Sequence, residues 1–434
     1  MNRSSVRVRK LSLATVLVGV VVTLTVAAQN PVPVPSAAQK PPTRVESLEA
    51  RAARIQREAI VLDGHNDTVR SLVRRGWKFT DRHDATNGHL DLPRLKEGGL
   101  TGAFFAIWDG NDLPSGLQIK GPALAEDSLR QLDALRSLAE EMPDQVMLCL
   151  TANDVRRAKA AGKMAMLLSV EGGHMINDSL ATLRTYARLG VRSMTLTHFV
   201  HTSWADSSSQ APEHNGLTPF GKEVVREMNR LGLIVDISHV SDKTFYDVLE
   251  TSQAPVFASH SSTRAVANHL RNLTDDMIKA LAAKGGVIQI VFMTPYLDDA
   301  YFQATQRLEP ELAALRKELD TKYPGQENAR KRADEVSAFQ TARLPKVSWM
   351  RIVDHIDHAV KLVGADHVGI GSDFDGAPMP EGMEDASHLP RITEELLRRG
   401  YSEADVKKIL GGNTLRLLEE IEAVSKKLRT HATN

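Results

Sequence analysis

The sequence predicts an α/β chain folded as a (β/α)8 barrel of the TIM type, with a helical insertion after its seventh strand. Three observations carry this. From residue 59 onward short apolar runs alternate with amphipathic stretches, eight runs in roughly 310 residues, enough for such a barrel with insertions. No Gly-rich phosphate loop follows the first run, where Asp63-Gly64-His65-Asn66-Asp67 stands instead; that argues against a doubly wound open sheet. Polar side chains collect at the carboxyl ends of the runs, the end at which a barrel gathers its functional groups.

The runs are 59–62, 101–108, 164–170, 193–196, 233–237, 255–258, 287–292 and 368–370. Each is short, several are rich in Val and Ile, and most have a Gly beside them, as strands buried on both faces do. Helical patterns lie between them at 124–141, 179–189, 221–231, 242–251, 274–283 and 350–363. Strands alternating with helices imply a parallel sheet with helices outside it. Residues 298–346 break the rhythm, being charged and helix-prone at 309–319 and 329–342. They are expected to pack over the barrel or to form a lid. The sequence shows no internal repeat.

The chain has 434 residues, 42% hydrophobic and 25% charged, the content of a globular protein. Arg3, Arg7, Arg9 and Lys10 precede an uncharged apolar run at 11–28 that ends in Val26-Ala27-Ala28. This pattern predicts a signal peptide over 1–28, with a retained anchor helix as the rival. A Pro-rich linker is expected at 29–43, the barrel over 44–425 and a polar tail at 426–434. Export to a bacterial periplasm or secretion follows as the expectation, with no stable membrane insertion after signal removal. Without residues 1–28 the chain holds 50 basic against 54 acidic residues, which argues against a nucleic-acid partner. A single cysteine, Cys149, excludes an internal disulfide and a CxxC zinc knuckle. A metal would have to rest on His, Asp and Glu.

The strand ends supply these. His65 and Asp67 follow the first run, Glu171 the third, His198 the fourth, His239 the fifth, His260 the sixth and Asp373 the eighth. In a barrel they converge on one mouth. Four imidazoles and three carboxylates there suit zinc first, with manganese or cobalt next. Other candidates carry plainer roles. His174 is expected to orient its loop, and His83, His89, His355, His358, His367 and His388 to be solvated. His201 and His214 lie in a polar loop within reach of a substrate, Asp236 is structural, and Asp375 is an outer carboxylate or a turn residue. The sequon Asn272-Leu273-Thr274 is taken as helix-capping chemistry, with Thr274 as the cap. HExxH, Walker A, GxSxG and GxGxxG motifs are absent.

At these residues the sequence resembles the membrane (renal-type) dipeptidase family of the amidohydrolase superfamily. The matching segments include Val61-Leu62-Asp63-Gly64-His65-Asn66-Asp67, Val170-Glu171-Gly172-Gly173-His174, Asp236-Ile237-Ser238-His239-Val240, Ser259-His260-Ser261, Arg271-Asn272 and Gly371-Ser372-Asp373-Phe374-Asp375-Gly376. The resemblance implies a barrel with two zinc ions that hydrolyses dipeptides to free amino acids by a metal-bridged hydroxide. It implies that His65 and Asp67 hold one ion, His239 and His260 the other, and that Glu171 bridges them. His198 and Arg271 would bind substrate, His198 also steadying the developing oxyanion. Asp373 would carry the proton.

Departures limit the likeness. With one cysteine and a polar carboxyl end, neither the disulfide-linked dimer nor the lipid anchor of the animal enzymes carries over. A non-covalent homodimer stays open. The rival readings are another binuclear amidohydrolase, acting on a cyclic amide or β-lactam, and a non-catalytic binding protein on the same fold.

Overall fold

The structure is a computed structural model, which describes residues 19, 21, 46–73, 76–109, 121–325 and 328–431. The expected signal peptide and linker, residues 19 and 21 apart, lie outside the described residues, as do residues 432–434. Among the described residues no helix is long and apolar enough to cross a membrane.

Nine strands are described, all paired in parallel: β1 (Leu62–Asn66), β2 (Gly102–Trp108), β3 (Val146–Leu148), β4 (Met164–Glu171), β5 (Val191–Thr195), β6 (Ile234–Asp236), β7 (Phe257–Ala258), β8 (Val287–Ile290) and β9 (Val368–Ile370). Eight run in the order β1-β2-β4-β5-β6-β7-β8-β9, and β3 flanks β4 outside that path. The sheet curls until its ends meet. Asp373 N–H donates to the His65 carbonyl at 3.0 Å and Asp67 N–H to the Phe374 carbonyl at 2.8 Å. This is the (β/α)8 barrel the sequence predicts, closed by backbone bonds between the end of the first strand and the segment that follows the last.

Register explains how a buried strand carries both core and chemistry. Phe104, Ala106 and Trp108 of β2 stand opposite Leu167, Ser169 and Glu171 of β4. Alternate residues share a face, so Glu171 lies on the side of Leu167, four residues nearer the carboxyl end. Leu62, Phe104, Leu167, Ile234, Phe257 and Val287 form one buried apolar cluster, one residue from each of six strands. The apolar layer supports the polar layer above it.

The outer helices match the expected patterns closely: Pro122–Glu141, Leu180–Leu189, Pro219–Leu231, Asp242–Thr251, Asp275–Ala283 and Met350–Val363. Thr274 caps the fifth of these by accepting from the Met277 amide, a contact of about 1 kcal/mol. Asn272 beside it is fully buried and donates to the carbonyls of Ala267 and Tyr296. The insertion follows β8, the barrel's seventh strand, as the helices Asp299–Lys322 and Ala329–Thr341, joined by an Arg332–Asp320 ion pair at 3.1 Å.

The first strand, several helices and one histidine differ from expectation. The first strand was expected at 59–62 and lies at Leu62–Asn66, because its second half is polar yet buried. Helices Leu48–Glu58, Ala152–Ala160 and Asn413–His431 are additional, the last running on into the polar tail. His355, expected in solvent, is fully buried. It accepts from Thr263 N–H at 3.1 Å, and its Nε2 lies 3.1 Å from the Leu297 carbonyl.

Candidate metal centre

The strand ends deliver the side chains to one point. His65 lies on β1 and Asp67 one residue past it, Glu171 ends β4, and His198 lies three residues past β5. His239 lies three residues past β6, His260 two past β7 and Asp373 three past β9. All seven are buried. His239 and Asp373 hold left-handed backbone angles, φ 68° and 62°, which non-glycine residues adopt rarely and at some cost. That strain turns both side chains into the mouth instead of along the strand.

Glu171 Oε1 is the centre of the cluster. It lies 3.1 Å from His239 Nε2, 3.3 Å from His260 Nε2, 3.5 Å from His65 Nε2 and 3.7 Å from His198 Nε2. His239 and His260 face each other, Nε2 to Nε2, at 2.8 Å. The donor atoms fall into three groups: His65, Glu171 and His260; Glu171, His198 and His239; His65, Asp67 and Asp373. Glu171 belongs to two of them, and so does His65.

Charge defines what the cluster lacks. Burial pushes Asp67 up to about 6, helped by the Glu171 charge. Burial and the neighbouring Asp67 raise Asp373 well above the carboxylate range. Burial would raise Glu171 as well, but the surrounding His198 and His65 and the bonds from His239 and His260 hold it well below. Burial, with Arg271 beside His239 and His65 beside His260, holds those two rings neutral. Three carboxylates in one buried pocket repel one another, and the neutral His239 and His260 do not relieve that. His65 Nε2 and Asp67 Oδ1 are buried without a hydrogen-bond partner. Divalent cations answer both conditions: they would neutralise the acids and take the place of the proton that Glu171 and Asp67 favour on His65. The residues fit metal ions.

The surroundings hold these side chains in place. Ser259 Oγ meets His260 Nδ1 at 2.7 Å. Asp63 accepts from the Ser372 amide at 2.6 Å and from its hydroxyl at 2.7 Å, fixing the strand end that carries Asp373. Asp375 accepts from His89 N–H and from Thr68 Oγ, each at 2.5 Å, so it braces the loop. His89 is therefore a packed residue and not the solvated one expected from sequence. Asp236 accepts from the amides of Ser238 and Ser259, a structural role. His201 Nε2 and His214 Nε2 meet the carbonyls of Ala211 and Thr202 and hold their own loop.

Arg271 is buried, with Nη1 donating to Ser261 Oγ at 3.4 Å and Nη2 to the His260 carbonyl at 3.2 Å. Its guanidinium lies 5.4 Å from the centre of the Tyr296 ring, and Nε has no hydrogen-bond partner. Arg264 is committed elsewhere, paired with both oxygens of Asp242. A cavity of about 50 Å³ is lined by Asp67, Glu171, His198, Asp373 and the apolar walls Trp108, Phe199 and Tyr296. Sequence reasoning missed these walls and Gly376. Trp108 closes a predicted strand and carried a signal, whereas Phe199 and Tyr296 lie in loops of no regular pattern.

A parallel barrel with buried carboxylates and imidazoles at its carboxyl end is the architecture of a metal-dependent hydrolase. The sequence profile described as membrane dipeptidase (peptidase family M19) matches residues 49–432, and the chain belongs to that family. It is thereby a metallopeptidase of the dipeptidase class. It is similar to dipeptidase tcpJ of Claviceps purpurea (strain 20.1), 36% identical over 375 residues that span 84% of this chain and 77% of that one. Dipeptidase verJ of Clonostachys rogersoniana is 34% identical over 394 residues, 88% of this chain and 89% of that one. Among solved structures, the probable dipeptidase PvdM from Pseudomonas aeruginosa superposes with a TM-score of 0.74 at 31% identity, covering 87% of this chain and 99% of that one. A metallo peptidase from Rhodobacter sphaeroides, liganded with a phosphinate mimic of the dipeptide L-Ala-D-Ala, gives 0.68 at 28% identity, covering 84% and 99%.

Proposed function

We propose that this chain hydrolyses dipeptides to free amino acids with two zinc ions held by His65, Asp67, Glu171, His239 and His260. The observation that carries the reading is Glu171 Oε1 with four imidazole nitrogens between 3.1 and 3.7 Å away. A carboxylate offers two oxygens, so Glu171 is the residue that would serve both ions. Zinc, when bound, supplies Lewis acidity and lowers the pKa of a water towards about 7.

The remaining work belongs to the chain. Arg271 binds the free carboxylate of the second residue, its planar fork suited to two parallel bonds. That contact orients the scissile amide over the cavity lined by Asp67, Glu171, His198 and Asp373. His198 lies against the wall of that cavity and steadies the negative charge that develops on the amide oxygen. Asp373 takes a proton from the attacking water and delivers it to the leaving amine. Its raised pKa suits a group that must hold a proton for part of the cycle. Trp108, Phe199 and Tyr296 exclude bulk water. The dipeptide mimic bound by the Rhodobacter sphaeroides relative supports a dipeptide as the substrate class.

A panel of dipeptides, a cyclic amide and a β-lactam, assayed with zinc-loaded protein, tests the reading. Turnover of dipeptides above the other substrates is expected. Turnover of the cyclic amide or β-lactam alone would move the chain to another amidohydrolase activity, and no turnover at all would leave a binding protein. Export is proposed as well, supported by the basic residues ahead of the apolar run at 11–28. Amino-terminal sequencing of protein from the envelope fraction tests it, with Gln29 expected first.

A further inference from the structure

The insertion reaches the substrate side of the barrel. Asp298 caps the helix Asp299–Lys322 by accepting from the Tyr301 amide. Asn268 N–H donates to Asp299 Oδ1 at 2.5 Å, which ties the start of that helix to the loop after β7. Phe302 and Gln306, one turn apart, thus line a vestibule of about 520 Å³, within the usual range for ligand pockets of about 300–1,000 Å³. Phe199 and Tyr296 line both this vestibule and the cavity at the strand ends.

Phe199, His269, Tyr296 and Phe302 give the vestibule an aromatic side, alongside the polar Ser208, Ser209, Asn268 and Gln306 in its lining. The His269 ring lies 4.3 Å from Phe302 in an edge-to-face contact and 4.4 Å from Tyr296. Burial, with Arg271 and Arg264 nearby, pushes His269 down to about 3, so its ring is uncharged at neutral pH. Among the described lining residues Arg271 is a cation and none is a carboxylate.

We propose that this vestibule selects dipeptides whose carboxyl-terminal residue carries a large apolar side chain, aromatic above all, with Phe302 of the insertion as the selecting wall. The inference rests on the dipeptidase reading and gives it a substrate class. A residue whose carboxylate meets Arg271 must place its own side chain within a few bonds of that guanidinium, and the vestibule is the space there. A basic side chain finds no acid in it. An acidic one competes with the main-chain carboxylate for the same Arg271. An aromatic ring meets Phe302, His269 and Tyr296, which pack best edge to face.

Ala-Phe and Ala-Gly, compared on zinc-loaded enzyme, test this. The wild type is expected to favour Ala-Phe in kcat/KM by about tenfold or more, the lower scale of apolar pocket discrimination. Phe302→Ala is expected to bring that ratio below about three, mainly through KM, and Phe302→Leu to keep part of it. Binding of the phosphinate mimics of the two dipeptides, followed by calorimetry, should show the same narrowing. Should Phe302→Ala not fold, Gln306→Trp fills the vestibule from the next turn and is expected to lower the same ratio. A ratio near one in the wild type overturns the inference, as does an unchanged ratio in a folded Phe302→Ala. Failure of the dipeptidase reading has a different signature, no cleavage of either dipeptide, and this inference falls with it.

Discussion

His239 Nε2 lies 2.8 Å from His260 Nε2, two ring nitrogens from neighbouring strand ends with Glu171 Oε1 beside both. Between neutral rings that distance is one hydrogen bond, with one ring donating and the other accepting. Both nitrogens must give up that arrangement to take a cation. On neutral rings a shift of tautomer frees both without releasing a proton, so any proton lost on metal uptake comes from another group, and the first expectation names it.

Without metal, burial opposes a charge on His65, yet Glu171 and Asp67 outweigh it and hold its pKa well above the usual value. His65 is then protonated at neutral pH and must lose that proton to ligate. Zinc binding at pH 7 is expected to release about one proton or more per chain, and more at lower pH. Calorimetry in two buffers of different ionisation enthalpy measures this, and elemental analysis should find two ions per chain. Zero proton release, or full activity with one ion, would remove the binuclear assignment.

Asp373→Asn is expected to keep both metals and the affinity for substrate while lowering kcat by roughly 10² to 10⁴, the scale of a lost proton-transfer group. Rescue of the wild-type rate by excess zinc would instead make Asp373 a ligand.

Gly376 lies where no side chain fits. A Cβ there would stand 2.2 Å from Asp67 Oδ2 and 2.6 Å from Asp373 Oδ1. Gly376→Ala is expected to displace both carboxylates and to lower kcat/KM by about 10²-fold, the cost of a misplacement near 1 Å. Circular dichroism should show an intact barrel. Wild-type activity in this variant would mean that the two carboxylates tolerate movement.

Cys149 is buried, and burial pushes its thiol up to about 12. An ordinary thiol titrates near about 8.5, so the fold favours the protonated form. This contribution to stability is complete below about 8.5 and is lost as pH rises towards 12. Iodoacetamide at pH 8 is expected to spare the native protein and to label it fully in urea. Native labelling at the unfolded rate would contradict the burial.

The barrel and the convergence of its candidate ligands were legible because polar side chains sit where the apolar runs stop. Six runs end in His, Asp or Glu, and a parallel barrel has one place to put those ends. What stayed hidden depends on distance in three dimensions. The first strand was misplaced by three residues because Asp63, His65 and Asn66 are polar yet buried, and a hydrophobic run is blind to that. His355 looked like a surface residue on an amphipathic helix, but Thr263 and Leu297 close over it. Phe302 and His269 meet across 33 positions of sequence, so no local pattern joins them.

The last expectation separates a dipeptidase from a general peptidase. A metal centre attacks any amide that reaches it, so chain-length selection needs a group that fixes the free carboxylate of the second residue. Two arginines follow His260 in the same loop, and their partners tell them apart. Arg264 spends its guanidinium on Asp242 at 2.7 and 2.8 Å. Arg271 faces no carboxylate partner, only a hydroxyl and a carbonyl, and leaves Nε unbonded. A buried guanidinium with spare donors gains most from an anion. Arg271→Ala is expected to raise KM for an ordinary dipeptide by about tenfold or more, as loss of a charge-assisted bond of about 1.5–3 kcal/mol implies. Arg271→Lys should recover part of the charge but not the bidentate fit. The wild type should also reject the same dipeptide amidated at its carboxyl end, and Arg271→Ala should lose most of that preference. Equal cleavage of acid and amide by the wild type would show that the carboxylate is not read, and selection for dipeptides would then have to come from the closed walls of the cavity alone.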